Sequence, residues 1–167
     1  MQKFKEALGR SMVEMILYLG LVIVVTTAAI KLYTESVEKT KLINAQNQIR
    51  DIAKSVNMIY IGRDFPTNGD ITTKLSEKKI NLVDPWGQKI TVTAKNGGGS
   101  GSFVRPYFGI KMNLTKANCV KLSSALIDDT IGINPKSNAT SSLSYGVDEF
   151  AKNCQDNHDV YFWFKKE

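Results

Sequence analysis

Residues 15–30 form sixteen consecutive positions without a charged side chain, Met-Ile-Leu-Tyr-Leu-Gly-Leu-Val-Ile-Val-Val-Thr-Thr-Ala-Ala-Ile. Counted from Met12 the apolar segment is nineteen residues, against about 20 for a helix that crosses the hydrocarbon of a bilayer. Its flanks are unusual. A secretory signal places a small-residue cleavage site after its apolar stretch. Here Thr26-Thr27-Ala28-Ala29 runs straight into Ile30-Lys31-Leu32-Tyr33, and the one candidate glycine junction, Gly9, lies before the stretch. Lys3, Lys5 and Arg10 precede it, a positive bias that keeps the N-terminus cytoplasmic and sends the rest outward. Glu14 is the exception inside the segment. An ionisable group in a membrane helix costs on the order of 2–3 kcal/mol near the centre and less near an end, which makes it a functional candidate.

The helical pattern continues past the apolar run. Leu42, Ala45, Ile49, Ile52, Val56 and Ile59 recur at spacings of three and four, drawing one stripe, while Glu38, Lys39, Gln46, Arg50, Asp51 and Lys54 occupy the other faces. No Pro or Gly interrupts residues 21–61, and Gly62 is the natural stop. The pattern predicts one helix from about Ser11 to Ile61. Its first half needs a bilayer or other helices as partner, and the stripe on its second half needs a sheet of its own chain.

Beyond it the chain alternates between turn and strand signals. Residues 62–87 are turn-rich, with Gly62, Pro66, Asn68-Gly69-Asp70 and Asp84-Pro85-Trp86-Gly87. Gln88 to Thr93 reads as a strand with Ile90 and Val92 on one face. Residues 96–101 read as a flexible turn. They lack the Gly-Lys-Ser/Thr ending of a phosphate-binding loop. Phe103 to Leu114 resumes a strand, and Thr115 caps a short helix carrying Cys119, Leu122 and Leu126. Ser137 to Ser144 is a polar loop, Tyr145 to Cys154 a second short helix, and Val160-Tyr161-Phe162-Trp163-Phe164 a strongly β-prone ending. That ending is placed in the sheet with its aromatics buried against a helix. The fold class expected is α+β: a long N-terminal helix packed on a small antiparallel sheet.

Several chemistries are excluded. The net charge is +6, but Lys and Arg are scattered and no run exceeds two, so no nucleic-acid stripe is drawn. The single histidine, His158, stands beside Asp156, Asn157 and Asp159 without a nucleophile motif, and reads as an exposed turn before the last strand. Asp128-Asp129 and Asp148-Glu149 lack the spacing of calcium loops. No enzyme activity, cofactor or metal is expected. Asn113-Leu114-Thr115 and Asn138-Ala139-Thr140 match the glycosylation sequon and carry little weight. Cys119 and Cys154 belong to no CxxC pair. They are free buried thiols if the chain stays in the cytosol and a disulfide if it is exported.

Gly9 followed by Arg10, Glu14 five positions past the glycine, and then an apolar helix resembles the class III signal of type IV prepilins. Two further elements fit. Phe65-Pro66-Thr67 resembles the Tyr-Pro element that follows the pilin helix. Asp84-Pro85-Trp86-Gly87 resembles a turn of pilins and of type II secretion pseudopilins. The resemblance implies a leader at residues 1–9, cleavage by a membrane peptidase between Gly9 and Arg10, and N-methylation of Arg10. Arg10 stands where the family usually has Phe or Met. The resemblance further implies that Glu14 pairs with the N-terminal amine of a neighbouring subunit, since a carboxylate buried among helices needs a positive partner.

By the same resemblance Cys119 and Cys154 staple the C-terminal region. A bond there stabilises by roughly 3–4 kcal/mol on the chain-entropy model. The division implied is a leader at 1–9, a helix at 10–61 whose part 10–30 is transmembrane and then filament core, and a head at 62–167. The function implied is that of a structural subunit of a type IV pilus, with a long C-terminal segment like that of type IVb and a short leader like that of type IVa, serving adhesion, motility, DNA uptake or conjugative contact. Its partners are copies of itself, the prepilin peptidase, the inner-membrane assembly machinery and the membrane before assembly. It is an inner-membrane precursor that ends at the cell surface. A pseudopilin is the alternative, favoured by the Asp-Pro-Trp-Gly turn and disfavoured by the cysteine-bracketed end. A membrane-anchored extracytoplasmic binding protein comes third.

Overall fold

The first helix, α1, runs Gln2–Ile59, and its two parts live in different surroundings. The computed structural model describes residues 2–66, 69–97, 106–135 and 147–167, with side chains from residue 12 onward except residue 147. The chain divides into two units, residues up to Thr40 and Lys41–Glu167. The first is helix alone. Every side chain from 12 to 36 is exposed. Thr26 and Thr27 donate their hydroxyls to the carbonyls of Val22 and Ile23, each at 2.7 Å. Both threonine hydroxyls of the apolar run are thereby satisfied inside the helix.

In the second unit the stripe read from the sequence is the face that packs. Ala45, Ile49, Ile52 and Val56 are buried, and Leu42 and Ile59 pack at the edge of the same core. The helix ends at Ile59 rather than Ile61. A turn follows in which Arg63 N–H donates to the Tyr60 carbonyl, and Gly62 takes φ +65°, a left-handed conformation glycine adopts without penalty.

The remaining elements are α2 (Thr72–Glu77), β1 (Thr91–Lys95), β2 (Tyr107–Leu114), α3 (Lys116–Leu126) with a 3-10 turn at Ile127–Asp129, β3 (Gly132–Asn134), α4 (Val147–Asn153) and β4 (His158–Lys165). The four strands make one antiparallel sheet in the order β1-β2-β4-β3. The outer edge of β1 is occupied by residues 69–71: Ile71 N–H donates to the Val92 carbonyl and Ala94 N–H to the Gly69 carbonyl. The sheet turns Val92, Phe108, Ile110, Met112, Val160, Phe162 and Phe164 toward α1, and Leu122, Leu126 and Phe150 close the same core.

The structure corrects four further readings of the sequence. The first strand is Thr91–Lys95, not Gln88 to Thr93, because Gln88 is held in the preceding turn by its N–H bond to Asp84 Oδ1. The turn-rich stretch contains α2, whose start is held by Asp70 Oδ1 accepting from Thr72 N–H at 2.9 Å. The aromatic ending does not bury all its rings against a helix. Successive strand side chains point to opposite faces, so Tyr161 and Trp163 pack with Tyr107 and Ile131 on the far face. His158 is not in the turn but opens β4, opposite Leu114. Most of the Gly-rich turn at 96–101, and the whole polar loop at 137–144, lie outside the described residues.

Candidate functional site

Two regions carry the candidate residues. The first is the start of α1. Gly9 and Arg10 lie within the helix, and Glu14 follows Arg10 by four positions. The apolar side chains behind Glu14 form an uncovered cylinder: Ile16 is 67% exposed, Leu17 68% and Val24 67%. Monomeric soluble proteins seldom expose apolar patches beyond a few hundred Å². By length and composition this helix is apolar enough to cross a membrane.

The second region is the cysteine-bracketed end of the head. Thr115 caps α3 by accepting from Asn118 N–H at 3.4 Å. This places Cys119 on the inward face of the first turn. Cys154 follows α4, and the two are joined with Cα atoms 5.9 Å apart, both buried. The staple thus ties α3 to α4. Asp156 lies just beyond it, and its carboxylate accepts from Lys116 N–H at 2.8 Å.

Polar ties fix the second part of α1 to its surroundings in the head. Gln48 Nε2 donates to the carbonyls of Asn81 and Val83 at 2.9 and 2.8 Å. Gln46 Nε2 donates to the Ala125 carbonyl, and Arg50 pairs with Asp129 at 2.7 Å. Phe65 and Asn96 exchange two bonds, backbone N–H to Oδ1 and Nδ2–H to carbonyl. This anchors the segment after the helix to the end of β1.

On the far face of the sheet Lys111 Nζ donates to Asp159 Oδ2 at 3.0 Å, and Asn113 Nδ2 donates to Asp159 Oδ1 at 3.2 Å. Desolvation pushes the Asp159 carboxyl up, but these two hydrogen bonds and the Lys111 charge outweigh it and hold the carboxyl below its ordinary value. The bond to Asp159 in turn raises Lys111. Burial alone raises Tyr60.

Among the described residues no cluster of three or more His, Cys, Asp or Glu side chains forms. His158 starts β4 in register with Leu114 of β2. The tie from Gln48 to two backbone carbonyls escaped sequence reasoning, since its partners lie over thirty residues away.

The fold is similar to that of the type IVb pilin from Salmonella typhi, with a TM-score of 0.55 and 19% identity over 77% of this chain and 99% of that one. No protein-family model and no curated protein matches the chain. At this identity the likeness is one of fold alone.

Proposed function

We propose, from the premise that this chain carries the type IV pilin fold, that it is the structural subunit of a type IV pilus-like filament. The observation that carries the reading is the uncovered apolar helical segment of residues 12–30 in a chain with a folded, stapled head. A membrane covers that surface in the precursor and neighbouring copies cover it in a filament. Helices in a bundle bury the same side chains as lipid does, so the exchange between the two surrounds is close to neutral for the apolar residues. Glu14 is the residue for which it is not neutral.

In this reading the peptidase cuts between Gly9 and Arg10 and the new amine of Arg10 is methylated. In the bilayer the Glu14 carboxylate sits near the end of the apolar run and reaches the interface. Among packed helices an unpaired charge is costly, and the amine of a neighbouring copy offsets it. Glu14 therefore sets the register of assembly. Pilus roles in adhesion, motility, DNA uptake or conjugative contact follow from the exposed heads.

The test pairs two measurements on Glu14→Ala: subunit level in the membrane and filament yield after shearing. The expected result is normal subunit with filament yield reduced at least tenfold. Intact mass of the sheared material should show a chain beginning at a methylated Arg10. A variant that assembles like the parent refutes the Glu14 role, and a mature chain that retains Met1 refutes the processing.

A further inference from the structure

Two asparagines of the chain stand before a glycine, Asn68 and Asn96, and the second pair lies just past β1. The structure holds both members of Asn96-Gly97 in place. Gly97 takes φ +95°, a left-handed conformation in which a side chain is strained. Asn96 holds the backbone of Phe65 with both of its groups: Oδ1 accepts from the Phe65 N–H at 2.8 Å, and Nδ2 donates to the Phe65 carbonyl at 3.0 Å. The contact needs a donor and an acceptor side by side on one short planar group, which is the asparagine amide. Aspartate offers acceptors and no donor.

The contact matters to the head. Phe65 is 4% exposed, with its ring 5.0 Å from that of Tyr60 and 6.3 Å from that of Phe108. Asn96 therefore fixes a core residue of the segment that follows α1. The same side chain is reactive. It is exposed to solvent, and Gly97 has no Cβ to shield its nitrogen. On losing its proton, that nitrogen attacks Asn96 Cγ. The Cγ–Nδ2 bond breaks, ammonia leaves and a five-membered imide closes. Water then opens the imide, at Cγ to give aspartate, or at the main-chain carbonyl to give isoaspartate with one more methylene in the backbone. Both products lack the Nδ2–H that donates to the Phe65 carbonyl.

We propose that Asn96-Gly97 is a deamidation site gated by the fold. In the finished head the two bonds to Phe65 hold the amide against a segment distant in sequence, and ring closure onto Gly97 must break that hold. Two hydrogen bonds of ordinary strength slow the reaction on the order of ten- to a hundredfold. In a chain that has not folded nothing holds the amide, and the reaction runs at the rate of a free peptide. The product then places a carboxylate oxygen against the Phe65 carbonyl, where two acceptors meet without a proton between them. A chain that lingers unfolded is thus marked irreversibly and forms a weaker head. The site lies within the head and does not depend on the filament reading.

The test maps peptides of the full chain in detergent micelles by mass spectrometry during incubation at mildly alkaline pH. One arm is native and oxidised, and the other is reduced and held in guanidinium. A synthetic peptide of residues 93–99 gives the free rate in each solvent. Asn96 should convert at the peptide's rate in the unfolded arm, with isoaspartate among the products, and on the order of ten- to a hundredfold more slowly in the native arm. Asn96→Asp, the aspartate product written into the sequence, should lower the Tm of the head by about 4–8 °C. Should that variant fail to fold, the rate comparison, which needs no variant, still decides. A native chain that converts as fast as the peptide, an unfolded chain that stays unmodified at Asn96, or an Asn96→Asp head as stable as the parent overturns the proposal.

Discussion

Gly109→Ala tests the packing of the far face of the sheet. Gly109 sits in β2 directly opposite Trp163 in β4, and the indole lies across it. A Cβ on Gly109 stands 2.6 Å from Trp163 Cζ3, 2.7 Å from Cε3 and 2.9 Å from Cη2. Carbon atoms prefer about 3.5–4.0 Å, so the ring must retreat by roughly 1 Å. It has little room: Trp163 is 1% exposed, edge-on to Tyr107 at 5.5 Å and stacked on Tyr161 at 6.0 Å. Overpacking of this kind costs about 1–3 kcal/mol. Loss of glycine freedom in the unfolded chain returns about 0.4–1 kcal/mol. The net is a destabilisation of about 1–2 kcal/mol, or a Tm lower by about 3–10 °C. Urea unfolding of the full chain in micelles, read as a midpoint shift at constant slope, measures it. Trp163→Leu removes the ring, and in that background Gly109→Ala should become neutral or slightly stabilising. A Gly109→Ala head as stable as the parent, or the same loss in both backgrounds, refutes the argument.

Cys119→Ser should destabilise the head by about 3–4 kcal/mol on the chain-entropy model, given a separation of 35 residues, and alkylation of native protein without reductant should find neither thiol. Thr115→Ala removes the cap of α3 and should cost about 1 kcal/mol by urea midpoint. The Lys111–Asp159 pair gives a weak pH dependence with a definite sign. Asp159 is held below its ordinary 3.8, so its contribution is full above about pH 4 and fades as acid titrates it through the lower folded value. Lys111 is raised above 10.5, so its contribution is full below that and fades in stronger alkali. The side chains are 31% and 43% exposed, which keeps the pair under about 1 kcal/mol. Asp159→Asn should flatten both limbs of a Tm–pH profile.

Periodicity made the stripe from Ala45 to Val56 legible, because a helix half-covered by a sheet leaves a repeat of 3.6 in its sequence. The Thr115 cap was legible because the hydroxyl and its donor are three residues apart. What stayed hidden depended on partners distant in sequence. β3 is three residues, Gly-Ile-Asn, too short to alternate, and exists by pairing with Tyr161–Trp163. β1 begins at Thr91 because the ladder with β2 begins there, while Gln88 is spent on the Asp84 turn. The Asn96 contact with Phe65 stayed hidden for the same reason, its two partners being distant in sequence.

The sheet order has a consequence for how fast the head forms. β4 is fourth in the chain but lies between β2 and β3, so β3 has no neighbour until β4 arrives. The nearest β2–β4 pair, Leu114 and His158, is separated by 158 − 114 = 44 positions. Once Cys119 and Cys154 are joined, the path runs 5 positions to one cysteine and 4 from the other, about ten in all. Loop-closure entropy scales as (3/2)RT ln n, so the shortcut lowers the barrier to that pairing by about 1.3 kcal/mol, close to tenfold in rate. An oxidant that acts on the unfolded head therefore sets the pace of its folding, and refolding from urea should be about ten times slower for reduced chains than for oxidised ones.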